Sequence, residues 1–363
     1  MATATHMSEN PDVYQPDELD QRLLNELQAA FPLVVEPFEA LGQRLGLTGA
    51  EVVARVARLK EGKVVRQIGA IFDSRRLGYR SSLVAMRFEP DDLEAGAAVI
   101  SAHPGVSHNY KRNHAFNLWF TIAVPPDKEL PAEVDKLAAK ARPASTWLLP
   151  TLKLFKIGVN LDMTGAQPVT ATEDDRANIG LRSALAWRRD PDLAQLSAEQ
   201  RCAVAALQAD LPLCDRPFAS LAVAHGLAEA RLVELATQMQ EQALMRRFAA
   251  VLHHRAAGFR ANAMGVWVVP EERIDEVGHQ MATFKAVSHC YQRPTYADWP
   301  YSVFTMIHGR HSRDCEAVVE AIAQATGVED YALLYSTKEY KKTRVRYFLD
   351  DDNFDVEGIP ARV

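Results

Sequence analysis

Apolar residues near the start of the chain recur at helical spacing in three short runs. Leu23, Leu24 and Leu27 share one face of the first run. The second run covers residues 38–45, and Gly46 separates it from the third. The third run has its apolar face on Val52, Val53, Val56 and Leu59. Three short helices with a glycine turn before the last predict a helix-turn-helix domain.

The following stretch changes to strand patterns with two helical runs among them. The order of strand, helix, strand, strand, helix and strand predicts a ferredoxin-like βαββαβ domain. The predicted elements cover residues 81–88, 91–101, 106–112, 118–124, 132–141 and 146–157, the last as a single strand.

The whole pattern occurs twice, at a shift of 180 residues: Pro37 returns as Pro217, and Gly46 returns as Gly226. A repeat of this length indicates duplicated domains, because solenoid units are about 20–50 residues long. We therefore predict an α+β fold, a tandem duplication of a helix-turn-helix (winged-helix-like) domain followed by a ferredoxin-like domain. The second set of strands and helices covers residues 261–269, 274–284, 287–293, 301–307, 315–324 and 331–337.

The repeat divides the chain into seven predicted segments. An N-terminal tail with a tag remnant covers 1–16, a linker covers 162–195, and an acidic C-terminal tail covers 347–363. The helix-turn-helix domains are predicted at 17–66 and 196–246, and the ferredoxin-like domains at 67–161 and 247–346.

Composition bounds the class of protein. A hydrophobic content of 48% and a mean hydropathy of −0.17 predict a soluble globular protein, and no apolar run is long enough to span a bilayer. No signal peptide is evident, and the four cysteines form no Cys-x-x-Cys pair, which argues against a zinc ribbon and c-type haem. We expect a reducing cytoplasm. The net charge of −6 and an acidic third helix in the second copy, with Glu229, Glu234 and Glu241, argue against a nucleic-acid partner.

His108, Tyr110 and Arg112 alternate along one predicted strand, so their side chains project from one face of a sheet. We predict catalytic roles for this set, because imidazole, phenol and guanidinium groups transfer protons and bind anions. A packing role is the alternative for the tyrosines. The same set returns in the second copy as His289, Tyr291 and Arg293.

Residues that follow the first histidine motif are candidate substrate contacts: His114, Asn117 and Trp119, with core packing as the alternative for Trp119. In the aligned sequences, Tyr301 stands in the second copy where Asn117 stands in the first, and the loop before it is three residues longer. We therefore expect the two halves to have unequal roles.

A helix-turn-helix followed by a βαββαβ domain is the layout of the Lrp/AsnC transcription regulators. The strand motifs are more specific, and they resemble the two subunit types of the siroheme decarboxylases, in the fused NirDL arrangement. The resemblance covers about residues 17–340. The motifs are His108-Asn109-Tyr110-Lys111-Arg112 with Asn117-Leu118-Trp119-Phe120-Thr121, and His289-Cys290-Tyr291-Gln292-Arg293 with Tyr301-Ser302-Val303-Phe304-Thr305.

The resemblance implies a carboxy-lyase that removes the C12 and C18 acetate carboxyl groups of siroheme. The products would be 12,18-didecarboxysiroheme and CO2, in the haem d1 biosynthesis that serves denitrification. It also implies no cofactor separate from the substrate, since siroheme carries its own iron.

Recurring arginines agree with such a ligand. Siroheme carries eight carboxylates, and arginine binds carboxylates bidentately. The recurring arginines are candidate substrate contacts: Arg66, Arg75 and Arg80, matched by Arg246, Arg255 and Arg260.

The sequence leaves several alternatives open. His108 or His289 can be the proton donor or the axial ligand of the substrate iron. A DNA-binding regulator of the Lrp type and a haem or siroheme carrier or sensor without turnover are alternative functions. His308 and His311 suggest a metal site, but no third ligand can be named and a strand-to-helix turn is the preferred interpretation.

The expected partners are siroheme and its decarboxylated products, with no nucleic acid and no membrane. The fused copies already supply an internal pseudo-dimer, which can associate further. We expect the pocket between the βαββαβ sheet and the adjacent helical domain.

Overall fold

The computed structural model describes residues 16–29, 31–157, 168–172, 195–252 and 261–348. The predicted tag remnant, most of the linker and most of the acidic tail lie outside these residues. The chain forms two compact units, which we call the helical unit and the sheet unit. The helical unit is Met1–Asp73 with Leu196–Gly258, and the sheet unit is Ser74–Gln195 with Phe259–Val363.

The described residues form ten α-helices and eleven strands. Helices α1 to α10 cover Glu18–Ala29, Pro37–Leu45, Gly49–Glu61, Leu93–Ala102, Leu130–Ala141, Ala198–Leu207, Pro217–Ala224, Glu229–Glu241, Ile274–Thr283 and Ser312–Thr326. Strands β1 to β11 cover Val65–Phe72, Arg80–Arg87, Val106–Arg112, Leu118–Val124, Ser145–Leu149, Lys153–Ile157, Met245–Leu252, Ala261–Trp267, Val287–Gln292, Val303–Gly309 and Tyr331–Lys342. None of the described helices has the length and hydropathy needed to cross a membrane.

The helical unit contains two helix-turn-helix domains, as predicted. Gly46 ends α2 in the left-handed conformation (φ 73°), which glycine adopts without steric cost. Thr48 then begins α3 with a capping box. Its hydroxyl accepts from the Glu51 N–H, and the Glu51 carboxylate accepts from the Thr48 N–H at 2.8 Å. These two caps define the turn between α2 and α3.

Strands β1 and β7 join the two copies within the helical unit as an antiparallel pair. The Ile68 carbonyl accepts from the Leu211 N–H at 2.8 Å, and the ring centroids of Phe31 and Phe248 are 5.3 Å apart. Phe31 and Ile68 belong to the first copy, Leu211 and Phe248 belong to the second copy, and all four residues are buried. The core of the helical unit is therefore shared between the copies.

Both copies of the βαββαβ order are present in the sheet unit. The first runs β2, α4, β3, β4, α5, β5, and the second runs β8, α9, β9, β10, α10, β11. Their eight strands and β6 form one nine-stranded sheet in the order β5-β2-β4-β3-β11-β8-β10-β9-β6. The predicted α+β fold and its duplication are therefore confirmed.

The prediction of one strand at 146–157 is wrong, because this segment forms two strands in different halves of the sheet. Pro150 lies between them, and proline cannot donate to a strand ladder. β5 pairs with β2 of its own copy, whereas β6 pairs with β9 of the other copy. β11 also serves both halves, since residues 331–335 pair with β8 and residues 336–342 pair with β3. The final strands are thus exchanged between the copies.

Lysines on the exchanged strand ends hold the helices of the other copy. Lys156 donates from Nζ to the carbonyl of Phe284, and Lys341 donates to the carbonyl of His103, both at 2.8 Å. Phe284 and His103 are the C-cap residues of α9 and α4. A cation is favourable there because helix C-terminal carbonyls carry partial negative charge. The equivalent contacts show that the exchange is reciprocal.

Helices cover one face of the nine-stranded sheet, and an apolar cluster covers the other. On β2, Val84 belongs to the core under α4 and α5, and the neighbouring Ala85 belongs to the opposite face. This second cluster, which we call the inner cluster, joins both halves. Its buried members are Ala85, Phe116, Trp119, Leu149, Met264, Val266, Trp299, Phe304 and Leu334.

The edges of the nine-stranded sheet approach each other. β5 and β6 stand at opposite edges, yet only residues 150–152 connect them along the chain. Three residues span at most about 3.3–3.6 Å each, so the sheet must curve until its two edges are close. The inner cluster lies on the face opposite the helices.

The predicted equivalence of Asn117 with Tyr301 is wrong. The N–H of Arg112 donates to the Asn117 carbonyl at 3.0 Å, and the N–H of Arg293 donates to the Ser302 carbonyl at 2.9 Å. Ser302 is therefore the counterpart of Asn117. The second connection covers 294–301 against 113–116, so it is longer by four residues and not three. The sequence alignment slipped because this connection differs in length between the two copies.

Asn117 and Ser302 make equivalent side-chain hydrogen bonds to the backbone in the two halves. The Asn117 amide accepts from the Phe88 N–H at 3.0 Å and donates to the Phe88 carbonyl at 2.8 Å. The Ser302 hydroxyl accepts from the Val269 N–H at 3.2 Å and donates to the Val269 carbonyl at 2.9 Å. Each side chain therefore satisfies both backbone hydrogen-bonding groups of a residue that lies just after the end of a strand.

Replacing Gly278 by alanine should destabilise the protein through the exchanged strand. An added Cβ would lie 2.5 Å from the Phe155 ring of β6. Overpacking costs about 1–3 kcal/mol, and the gain in helix propensity of about 1 kcal/mol offsets part of it. We expect urea unfolding to show a loss of up to about 2 kcal/mol. A Gly278→Ala, Phe155→Leu double variant should lose less than the sum of its single variants; strict additivity would contradict the contact.

Replacing Asn117 by alanine should lower stability more than substrate affinity. The change leaves the N–H and carbonyl of Phe88 without their side-chain partner, at a cost of about 1–3 kcal/mol. Ser302→Ala is the matched variant and should show a loss of similar size. A substrate-binding role for Asn117 predicts instead a raised KM with an unchanged free energy of unfolding. Urea unfolding and steady-state kinetics on the same preparations distinguish the two.

Candidate active site

Both histidine strands carry a β-bulge immediately before the histidine. In β3, Val106 pairs with Ile122 and His108 pairs with Thr121, which leaves Ser107 as the extra residue. In β9, Val287 pairs with Ile307 and His289 pairs with Met306, which leaves Ser288 as the extra residue. Bulges re-aim side chains and are frequent beside active sites. Here they bring a serine hydroxyl next to each histidine.

The two serines hold equivalent atoms of the two histidine rings. Ser107 Oγ lies 3.0 Å from His108 Nδ1, and Ser288 Oγ lies 2.8 Å from His289 Nδ1. Hydrogen bonding at Nδ1 fixes the orientation of an imidazole ring. The sequence offered a signal for this contact, since Val-Ser-His occurs in both copies.

Each His–Tyr–Arg set projects from the sheet face opposite the helices. The intervening side chains point to the helices, since Asn109 Nδ2 donates to the Ala97 carbonyl at 3.2 Å and Cys290 Sγ lies 3.6 Å from the Gly278 carbonyl. Alternation along a strand puts the histidines and tyrosines on the other face. The ring centroids of histidine and tyrosine are 6.2 Å apart in the first half and 5.9 Å apart in the second.

Arg112 and Arg293 are buried cations that tie the halves together. Arg112 Nη1 donates to the Leu334 carbonyl of β11 at 2.9 Å, and Arg293 Nη1 donates to the Leu149 carbonyl of β5. Burial lowers the pKa of each guanidinium to about 10, and the adjacent phenol, Tyr110 or Tyr291, opposes this shift. Both arginines therefore stay charged near neutral pH.

The exchanged strands give the two sets different neighbours. In β11, Lys342 stands opposite His108 and Glu339 stands opposite Tyr110. The corresponding residues of β6 are apolar: Ile157 stands opposite His289, and Leu154 stands opposite Tyr291. Directly opposite side chains share one sheet face. The first set is therefore bordered by charged residues and the second by aliphatic ones.

Trp119 is a member of the inner cluster, and His114 lies beside this cluster. His114 Nδ1 accepts from the Phe116 N–H at 3.1 Å, and its ring centroid is 5.3 Å from that of Trp299. Burial lowers the pKa of His114, so the ring is neutral near neutral pH. Trp119 is fully buried, and its Nε1–H donates to the Phe116 carbonyl at 2.6 Å. Both side chains have evident packing roles.

The recurring arginines are distributed over both units. In the helical unit, Arg66 lies on β1, and Arg246 on β7 pairs with Asp73 at 3.0 Å. In the sheet unit, Arg75 lies in the turn before β2, and Arg80 begins β2 and forms an exposed ion pair with Glu129. Substrate contact by these four stays a prediction. Arg255 and Arg260 lie outside the described residues.

His308 was missed as part of this site. The predicted strand-to-helix turn is wrong for His308, which lies within β10, whereas His311 is the N-cap residue just before α10. His308 Nε2 lies 2.8 Å from Ser288 Oγ. Within the described part of the chain, no three histidine, cysteine or acidic side chains are grouped as a metal site. Periodicity could not reveal this contact, because it depends on the bulge at Ser288.

Ion pairs neutralise arginines on the third helix of each helix-turn-helix domain. Arg55 on α3 contacts Asp17 at 2.9 Å and Asp20 at 2.7 Å. Arg231 on α8 contacts the carboxylates of Glu199 and Glu234 at 2.7 and 2.8 Å. A helix that enters a DNA groove needs cations directed at phosphates. These pairs make both helices poor candidates for a nucleic-acid interface.

Two family models match the chain, and each matches it twice. The siroheme decarboxylase NirDL-like HTH domain matches residues 20–66 and 201–246. The AsnC-like ligand binding domain matches residues 76–156 and 256–341. Both matches agree with the duplication seen in the fold.

Known proteins are similar to the chain over most of its length. The siroheme decarboxylase of Hydrogenobacter thermophilus is 39% identical over 331 residues, which cover 91% of this chain and 95% of the relative. A crystal structure of the siroheme decarboxylase NirDL has a TM-score of 0.73 at 35% identity, covering 94% of this chain and 98% of that one. Another, of NirDL in complex with an iron-uroporphyrin III analogue, has a TM-score of 0.71 at 34% identity, covering 93% and 96%. The chain therefore belongs to the siroheme decarboxylase family, in its fused NirDL form.

Proposed function

We propose that this chain is a carbon-carbon lyase that removes the C12 and C18 acetate carboxyl groups of siroheme. The products are 12,18-didecarboxysiroheme and CO2, an activity that serves haem d1 formation. The observation that carries the proposal is the pair of serine-held His–Tyr–Arg sets on one sheet face, in a chain of this family. The relatives' names and the analogue bound to a solved relative support it.

Buried cations support a substrate with many carboxylates. Arg112 and Arg293 are 6% and 8% exposed, and their Nε atoms have no hydrogen-bond partner within the described residues. A buried guanidinium is costly unless an anion or acceptor completes its hydrogen bonds. A carboxylate is the group that guanidinium binds best. Ordinary b-type haem, with two carboxylates, offers fewer acceptors to the whole set of recurring arginines than siroheme with eight.

The reaction needs one proton for each carboxyl group removed. Each acetate side chain loses CO2 when the bond between its methylene carbon and its carboxyl carbon breaks. The electron pair remains on the methylene carbon, where the conjugated macrocycle delocalises it. A proton delivered to that carbon then gives a methyl group. The macrocycle supplies the electron sink, so we propose that no separate cofactor is needed.

The histidines are suited to deliver that proton. Serine contacts Nδ1 of His108 and His289, so Nε2 is the ring nitrogen directed elsewhere. An imidazole titrates near neutral pH, which suits a general acid there. Ligation of the substrate iron is the alternative role for the same nitrogen, and it would be incompatible with proton delivery from that histidine.

The alternative functions have less support. A DNA-binding regulator needs free cations on its third helices, and Arg55 and Arg231 are engaged by carboxylates. A non-catalytic carrier needs only iron ligation or carboxylate binding, so it does not explain a duplicated set of proton-transfer groups. We further propose a cytoplasmic location and action as a fused pseudo-dimer without nucleic acid or membrane partners.

Anaerobic incubation with siroheme tests the proposed function. We expect mass analysis to show two successive losses of CO2. Unchanged siroheme with a shifted absorbance would favour the carrier. No spectral change together with tight DNA binding would favour the regulator.

Alanine substitution of the two histidines should have unequal effects. His108 and His289 have differently charged neighbours, so their contributions as proton donors should differ. General acid catalysis contributes about 10²–10⁴-fold, and we expect a kcat loss in that range for one variant and a smaller loss for the other. His225→Ala, in the helical unit, is the control and should retain activity. Equal and small losses for both variants would show that neither histidine carries the chemistry.

A further inference from the structure

Polar side chains stand on both sides of His108 on the sheet face opposite the helices. His108 pairs with Lys342 of β11 on one side and with Thr121 of β4 on the other. Directly opposite residues share one sheet face, with Cβ atoms about 4.5–5.5 Å apart. We call Lys342 and Thr121 the polar flanks, and both are partly exposed. An ammonium group and a hydroxyl group therefore border the first imidazole.

His289 has apolar neighbours at both of these places. It pairs with Ile157 of β6 and with Met306 of β10. We call Ile157 and Met306 the apolar flanks, and both are partly exposed. Met306 pairs in turn with Met264 of β8, which is buried in the inner cluster. Met306 therefore forms the accessible border of a buried apolar surface.

The two pairs of flanks occupy equivalent places in the two copies. Thr121 pairs next with Leu83 of β2, as Met306 pairs next with Met264 of β8. Met264 belongs to the inner cluster, and Leu83 packs against it. Along these rows of paired residues, the chemical contrast between the halves therefore lies beside the histidines.

A tetrapyrrole presents two kinds of surface to these flanks. Its conjugated ring face is apolar, and its rim carries carboxylates. The ring face gains from contact with an aliphatic side chain and with a methionine sulfur. A carboxylate placed between Ile157 and Met306 would lose water and gain no donor from them, which is costly. The apolar flanks therefore suit the ring face and not the rim.

The polar flanks suit a carboxylate. Lys342 offers a positive charge with three N–H donors, and Thr121 offers a hydroxyl donor. An ammonium group attracts a carboxylate through space, so Lys342 can keep its other contacts while it does so. The reaction requires an acetate to lie beside a histidine. Of the two histidines, His108 is the one whose flanks stabilise the acetate carboxylate.

We propose that the apolar flanks contact the ring face of the substrate and that the polar flanks hold one of its acetate carboxylates. This orientation rests on the proposed function and makes the four flanking residues determinants of specificity. The part of the rim that extends past the apolar flanks meets polar residues again, because Asn262 and His308 form the next inward-facing pair along β8 and β10. The two halves therefore divide the recognition of one asymmetric ligand.

Binding of two metal-free porphyrins, measured by fluorescence titration, tests the apolar flanks. Coproporphyrin has methyl groups where uroporphyrin has acetates, and neither contains iron for a histidine to bind. Met306→Thr places the first-half residue in the second half. It should weaken both porphyrins by a similar factor of about tenfold, the effect of losing a partly buried apolar contact. Met306→Leu is the matched control and should bind as the wild type does. Ile157→Thr repeats the test at the other flank.

The same titrations test the polar flanks. Lys342→Met should weaken uroporphyrin by about tenfold, because a charge-assisted contact to an acetate is lost, and should change coproporphyrin binding little. Lys342→Arg should keep the wild-type affinity for both porphyrins. Thr121→Val should act in the same direction as Lys342→Met with a smaller effect. Added salt should reduce the difference between the wild type and Lys342→Met for uroporphyrin.

Three results would overturn the proposed orientation. They are equal binding of both porphyrins by Met306→Thr and Met306→Leu, equal weakening of both porphyrins by Lys342→Met, and failure of the wild-type protein to bind either porphyrin. Urea unfolding of each variant shows whether an affinity loss comes from the contact or from instability. Anaerobic incubation with siroheme is independent of these titrations. Unchanged siroheme together with the expected porphyrin pattern would remove the proposed function and leave the orientation of the ligand in place.

Discussion

The sheet unit depends on the reciprocal exchange of final strands between the two copies. Neither copy can complete its backbone hydrogen bonds alone, because β3 needs the end of β11 and β9 needs β6. An unpaired strand would expose a row of donors and acceptors at each edge. The buried guanidinium groups of Arg112 and Arg293 add contacts between the copies, since each donates to a backbone carbonyl of the other copy, at Leu334 and Leu149. Fusion into one chain keeps both partners at high effective concentration.

The same exchange makes the two sites chemically different. Both copies present histidine, tyrosine and arginine on equivalent strands, but the neighbouring strand in each case comes from the other copy. β11 brings Lys342 and Glu339 to the first set, and β6 brings Ile157 and Leu154 to the second. The two copies have the same order of strands and helices, whereas the residues opposite their histidines and tyrosines differ in charge. Duplication followed by divergence of the exchanged strands is sufficient to give one fold two unequal histidines.

The helical unit combines a helix-turn-helix fold with ion-paired arginines on its third helices. Its caps and turns form the helix-turn-helix geometry found in DNA-binding proteins. Its third helices, however, direct Arg55 and Arg231 at carboxylates of the same domain. A cation held in this way is of little use to a phosphate backbone. The presence of the helix-turn-helix fold is therefore not by itself evidence for DNA binding.

The sequence by itself determined the helices and most strands, the duplication, and the shared face of each His–Tyr–Arg set, because these follow from local periodicity and from residue identity. Only the tertiary structure decided the break at Pro150 and the exchange of strands between the copies. It also decided that Asn117 and Ser302 occupy equivalent positions, and that His308 contacts Ser288. A strand's pattern states which face is apolar but not which partner completes its ladder. That choice depends on groups distant in the chain, and a one-residue bulge can redirect a side chain without changing the pattern.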